Sequence, residues 1–172
     1  MQLNPYGEEA VLLGVDLLRD PPTSAVELAD RCRAAGLVVD RRVAATDVTR
    51  VRTFIDRWAA VVDSPDDRRR TDRLNALLEE HAQYPRLTDH SGTGWHLHYR
   101  DQVLPISRVV AAIVTVGTAL HLSGRGMHRL GRCAARSCDR PFADVSRTGR
   151  QRYCSPACAN RDAVRRHRER VG

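Results

Sequence analysis

The chain has 172 residues, a formal net charge of +7, and 42% hydrophobic against 28% charged residues. This is the length of one domain, or of one domain with a small appendage, and the balance excludes disorder. No uninterrupted apolar run reaches the roughly 18 residues of a membrane span, and Glu8 and Glu9 stand where a signal peptide carries positive charge. A cytoplasmic protein is expected.

Residues 1–124 read as a mainly helical domain. Residues 9 to 18 set Val11, Leu12, Val15 and Leu18 on one helical face, and Pro21 and Pro22 end the segment. Ser24 and Glu27 form a capping-box pair ahead of Ala25, Leu28, Ala29 and Cys32, with Gly36 as the stop. Cys32 thus falls on a core face, as a small hydrophobe rather than a reactive thiol. A third helix is predicted from about Asp47 to Val62, with Val48, Val51, Ile55, Trp58 and Val62 as its stripe. Ser64 and Pro65 are the expected start of a fourth, which buries Leu74, Leu77 and Leu78 before about Ala82.

Residues 86 to 100 alternate instead. Trp95, Leu97 and Tyr99 would share one strand face and His96, His98 and Arg100 the other, with Ser91-Gly92-Thr93-Gly94 as a hairpin loop. Two His on one strand have no third ligand spaced nearby, so they are read as a solvated or half-buried strand face. From Val109 through Leu122 the chain is apolar almost all round, which at that length predicts a central buried helix. No nucleophile with a base, phosphate-cradling loop or carboxylate pair stands out, so no enzyme is expected. An enzymatic reading would need a pocket gathering His96, His98, His121 or Asp101. The helical part leaves room for a small-molecule effector, or for self-association, although nothing in the sequence indicates a homodimer.

Ser123-Gly124-Arg125-Gly126 supplies turn residues for a joint near residues 123 to 129, where the composition changes. Every one of the 28 basic residues is Arg. Residues 1–124 hold 15 Arg against 17 acids, a net of −2, whereas residues 125–172 hold 13 Arg against 4 acids, a net of +9. A single-sign block of that size implies a polyanionic partner, most often nucleic acid.

Four of the five cysteines share this basic segment. Cys133, Cys138, Cys154 and Cys158 read C-x4-C-x15-C-x3-C, two short-spaced pairs of the kind that fold locally around one structural Zn2+. Ser155 is the expected N-cap and Pro156 the first residue of a basic helix reaching about Arg170. Disulfides are disfavoured in a cytosolic setting, and four thiolate ligands leave no open position for catalysis. Fold class is therefore mainly α: a helical domain with a small β-hairpin, residues 1–124, plus a treble-clef-like zinc module, residues 125–172.

The run Cys138-Asp139-Arg140-Pro141-Phe142-Ala143-Asp144-Val145-Ser146, with Cys133 before it, resembles the C…C…F-x-D-x-S opening of the CGNR zinc-finger family. Gln151-Arg152-Tyr153-Cys154-Ser155 is similar to that family's R-R-W-C-S, and Cys158-Ala159-Asn160-Arg161 to the C-G-N-R signature. Gln151, Tyr153 and Ala159 depart from the pattern, but none is a zinc ligand. The resemblance implies an N-terminal helical ABATE domain and a role as a stress-induced transcription regulator.

Arg161, Arg165 and Arg168 fall within roughly 60° of one another on the basic helix, and Arg147, Arg150 and Arg152 precede it. Their planar guanidinium forks suit phosphate and guanine edges, which makes DNA the expected partner. Cys158 lies on the same side as Arg165, so only the part of the helix beyond the metal is free to enter a groove, and Arg161 could serve as a brace to Asp144 or Asp162. Two alternatives remain: an RNA-binding protein, or a protein-interaction module whose zinc is purely structural.

Overall fold

The computed structural model describes residues 7–89, 95–100 and 103–171. Four helices come first: α1 Glu8–Arg19, α2 Ala25–Ala34, α3 Ala45–Val62 and α4 Asp67–His81. The Ser24 hydroxyl accepts from the Glu27 amide at 3.1 Å, as a capping residue should. Glu27 turns its own carboxylate to the Thr23 amide and hydroxyl rather than to Ser24, so the second arm of the box reaches one residue further back. Gly36, at φ +76°, ends α2 in a Schellman motif, with Leu37 N–H donating to Cys32 and Gly36 N–H to Arg33. Burial pushes the Cys32 thiol up to about 11, which makes it inert.

Two local expectations fail. Leu12 is 41% exposed, because α1 rolls so that Ala10, Leu13, Gly14 and Leu17 join Val11 and Val15 against the core. Ser64 does not cap α4, since its hydroxyl donates back to the Ala60 carbonyl at 2.8 Å. Asp66 caps it instead, accepting from Arg69 N–H at 2.8 Å.

Of these helices α2 packs on α3, while α1, α3 and α4 pack against α5, Ile106–Arg125. It is long and apolar enough to cross a membrane, which the search for an uninterrupted apolar run did not register. Its composition has a different cause here: Val110, Val114, Thr115, Thr118 and His121 are fully buried among the other helices. Small residues let α1 approach closely. A Cβ on Gly117 would stand 2.4 Å from the Ala10 Cβ, and one on Gly14 would stand 2.7 Å from Val114. The buried Trp58 indole donates to Thr118 at 3.0 Å, which satisfies both groups.

A two-stranded antiparallel sheet stands between α4 and α5. Its strands, β1 Arg86–Thr88 and β2 His96–His98, pair Leu87 with Leu97, and both leucines remain exposed. The loop 91–94, Asp101 and the side chain of His96 lie outside the described residues.

The expected turn at residues 123 to 126 shrinks to one residue. Ser123 and Gly124 are still helical, and Gly126 alone reverses the chain, at φ +116°. A 3-10 turn, Met127–Arg129, leads into β3 Leu130–Arg132, which pairs with β4 Pro141–Ala143. Leu130 and Ala143 belong to the same apolar core as the helices.

Arginines fasten this second hairpin to the helical part. Arg132 makes a bidentate ion pair with Asp63 at 2.7 and 2.8 Å, and Arg19 donates to the Pro141 carbonyl at 3.1 Å. Arg70, only 8% exposed, donates to the Val61 and Val62 carbonyls at 3.2 Å each and to Met127. It therefore ends α3 and holds the start of the second hairpin with one guanidinium. Arg70→Ala leaves those carbonyls without their charged donor and is expected to cost about 2 kcal/mol in urea denaturation. Arg70→Lys, which cannot reach three carbonyls at once, should recover less than half of that.

Candidate metal centre and the arginines around it

Beyond β4 the chain has few apolar residues with which to fold. The only buried cluster at that end consists of Cys133, Ala135 and Cys158, with Cys138, Tyr153 and Cys154 against it. The thiols themselves are most of its core.

Each cysteine pair is set by short-range structure. Cys133 N–H donates to the Arg140 carbonyl at 2.9 Å and Cys138 N–H to Ala135 at 2.9 Å, which closes the first pair into a turn. The second pair straddles the start of α6, Pro156–Val171. Ser155 is its cap, accepting from Cys158 N–H at 3.2 Å, and Pro156 fills the first helical position as the sequence indicates.

These four sulfurs lie within 4.8 Å of one another. Cys154 Sγ is 3.7 Å from both Cys138 Sγ and Cys158 Sγ. Tetrahedral Zn–S bonds of about 2.3 Å place sulfurs about 3.8 Å apart, so the spacing is that of a zinc site. The donor set fits too. Ser155, then Cys154 and Arg161, hold the Cys158 thiol down to about 6, whereas burial and the neighbouring thiols push Cys154 up to about 12. Four thiolates so close repel one another, and a divalent cation removes that conflict. Cys133, Cys138, Cys154 and Cys158 form a site for one structural zinc ion. Among the described residues no other group of three or more His, Cys, Asp or Glu could hold a metal.

Outer contacts orient the ligands. The Cys154 amide donates to Cys133 Sγ at 3.4 Å, and Arg161 Nη2 donates to Cys158 Sγ at 3.2 Å. Arg161 is therefore a brace, but its partner is the sulfur and not Asp144 or Asp162. Asp162, 6% exposed, is held by Arg165, by Arg166 and by the Tyr153 hydroxyl at 2.8 Å. Arg165 and then Tyr153 keep its carboxyl below the usual carboxylate range. Tyr153 thus ties the second pair to α6 by a phenolic hydrogen bond.

Asp144 organises the loop before the second pair, accepting from Ser146 N–H and Gln151 N–H at 2.9 Å each. Arg129 completes that loop, and sequence reasoning missed it. Its guanidinium is nearly buried and donates to the Arg125, Asp144 and Ser146 carbonyls. Gly149, at φ +66°, passes so close that a Cβ there would meet Arg129 Nη2 at 2.5 Å. No motif marks Arg129, because its partners are backbone carbonyls.

The six arginines expected to meet nucleic acid divide in two. Arg161 serves the metal site, and Arg165 is committed to Asp162 at 2.8 Å and to Glu169 at 2.7 Å. Arg147, Arg150, Arg152 and Arg168 are exposed and meet no acidic group among the described residues. The far half of α6 carries little else, since only Cys158 and Asp162 of the whole helix are buried.

A mainly helical body with a four-thiol module at its C-terminal end defines a class of zinc-finger proteins. Residues 129–171 match the CGNR zinc finger, and residues 11–120 match the ABATE family, described as "Putative stress-induced transcription regulator". The chain belongs to the ABATE family and carries a CGNR zinc finger. No curated protein matches it.

Elemental analysis of the purified protein should find one zinc per chain, and Cys158→Ser should abolish it. Arg161→Ala keeps all four ligands and is expected to lower zinc affinity about 10-fold in a chelator competition.

Proposed function

We propose that this protein regulates transcription by binding duplex DNA through its zinc module, with Arg147, Arg150, Arg152 and Arg168 as the phosphate-gripping residues. The observation that carries the reading is the set of exposed guanidiniums on the metal-braced module that meet no acidic group among the described residues. Residues 125–172 have a formal excess of +9, to which Arg147, Arg150, Arg152 and Arg168 contribute without an acidic partner among the described residues. Such a surface attracts polyanions by releasing condensed counterions, so its affinity falls steeply with salt. The outer half of α6 has the dimensions of a groove-entering helix, and the loop 147–152 offers three exposed guanidiniums for contacts to phosphates.

Duplex DNA is favoured over single-stranded RNA by what the module lacks on its outside. Besides two histidines its aromatic residues are Phe142 and Tyr153, respectively buried and tied to Asp162, so no large exposed aromatic face is offered to an unpaired base. The role is binding rather than catalysis, since four thiolates leave zinc no open coordination position. The family description supports the regulatory assignment and is the sole support for a link to stress.

The test is fluorescence anisotropy of the zinc-loaded protein on duplex DNA, single-stranded RNA and heparin at several salt concentrations. Duplex should bind tightest. Replacing Arg147, Arg150 and Arg152 together by Ala should weaken it and lower the salt slope by about 0.9 per lost phosphate contact. Arg165→Ala, whose partners are Asp162 and Glu169, should change the slope least. Equal binding to all three polyanions would contradict DNA recognition and leave an acidic protein as the partner.

A further inference from the structure

The helical part holds a cleft that neither the metal site nor the arginine surface uses. It has a volume of about 510 Å³ and opens where one side of α3 meets the end of α4 and the first turns of α5. Cavities of this size accommodate small organic molecules.

Three guanidiniums stand around it, Arg50 and Arg57 from α3 and Arg108 from α5. Two carboxylates are near, and both are engaged. Glu80 is paired with Arg57 at 2.6 Å, and Asp47 accepts from the Ser107 hydroxyl at 2.6 Å and from the Ala44 amide at 3.1 Å. Arg50 and Arg108 make no ion pair among the described residues. The first turn of α5 is already served by Asp47, which accepts from the Ser107 amide at 3.4 Å as well as from its hydroxyl, so the positive potential at the cleft comes from Arg50 and Arg108.

The inner wall is different. Phe54 and Ala111 line it, and the His81 ring lies edge-on to Phe54 with centroids 5.3 Å apart. The His81 side chain is only 7% exposed, yet neither ring nitrogen has a hydrogen-bond partner among the described residues. Glu80 Oε1 lies 3.6 Å from Nε2. Burial, aided by Arg57 and Arg108 and opposed by Glu80, holds its pKa below the usual histidine value. A neutral imidazole therefore faces the cleft wall with an N–H to give. Burying such a group unpaired costs free energy, and a ligand oxygen that accepted from it would remove that cost.

We propose that the cleft between α3, α4 and α5 binds a small organic carboxylate, its head group on Arg50 and Arg108 and its apolar body against Phe54, Ala111 and the His81 ring. The planar carboxylate matches the guanidinium fork, and the apolar wall selects a ligand with a hydrocarbon or aromatic body over a bare inorganic anion. A small ring shift would bring the His81 N–H onto a ligand oxygen. This site is independent of the DNA reading, since it shares no residue with the arginine surface.

The test is an amide NMR titration of the zinc-loaded full chain with benzoate, benzamide and inorganic phosphate. Benzoate should shift Thr53, Arg57, His81 and Arg108 saturably, and benzamide and phosphate should each bind at least 10-fold more weakly. Arg50→Ala and Arg108→Ala, singly and together, remove exposed side chains that make no ion pair among the described residues, and the double variant should lose at least 10-fold in benzoate affinity. Arg68→Ala on α4 is the control and should lose nothing. Benzamide or phosphate binding as well as benzoate, an undiminished double variant, or no saturable shift at millimolar benzoate would each overturn the proposal.

Discussion

Four cysteine sulfurs within 4.8 Å of one another are the constraint on which the C-terminal quarter of this protein rests. As thiolates they would repel one another without a cation, and the apolar residues around them are too few to hold the chain by burial alone. Zinc is thus the core of the module as well as its ligand. It fixes the loop from 133 to 138, the start of α6 and, through Arg161 and the Cys154 amide, the orientation of both.

Zinc does not act on a separate bead. The hairpin that carries the first cysteine pair inserts Leu130 and Ala143 into the helical core, and Arg132, Arg19 and Arg70 reach across the seam. One continuous path therefore runs from α5 through the Gly126 turn into β3 and the metal. The arginines that remain free lie outside this scaffold, on the loop 147–152 and the outer part of α6. Their charge is displayed by a rigid support, which lowers the ordering cost of binding a polyanion.

Much of this was legible in the sequence because it rests on local rules. The four-cysteine spacing, Ser155 as a cap, Pro156 behind it, Gly36 as a stop and the apolar length of α5 each follow from the chemistry of a few neighbouring residues. What escaped depends on distant partners. Leu12 and Leu13 cannot be ranked by periodicity alone, since the roll of α1 is set by Gly14 and Gly117 allowing a close approach. Ser64 lost its capping role to Asp66 two residues on. The charge count marked the basic segment but not which arginines were free, because Asp162 and Glu169 neutralise Arg165 only through the geometry of α6. Arg129 and Arg70 were invisible, as their hydrogen bonds go to backbone carbonyls, which no sequence pattern marks. The cleft at His81 gathers residues from three helices and has no linear signature at all.

The most direct measurement is amide hydrogen exchange on the zinc-loaded protein and on the same protein after chelation. If zinc is the core of the module, chelation removes protection from residues 133–171, α6 included, while α3 and α5 keep theirs. Unchanged protection in α6 without zinc would contradict the account, and so would a loss spread evenly over the whole chain.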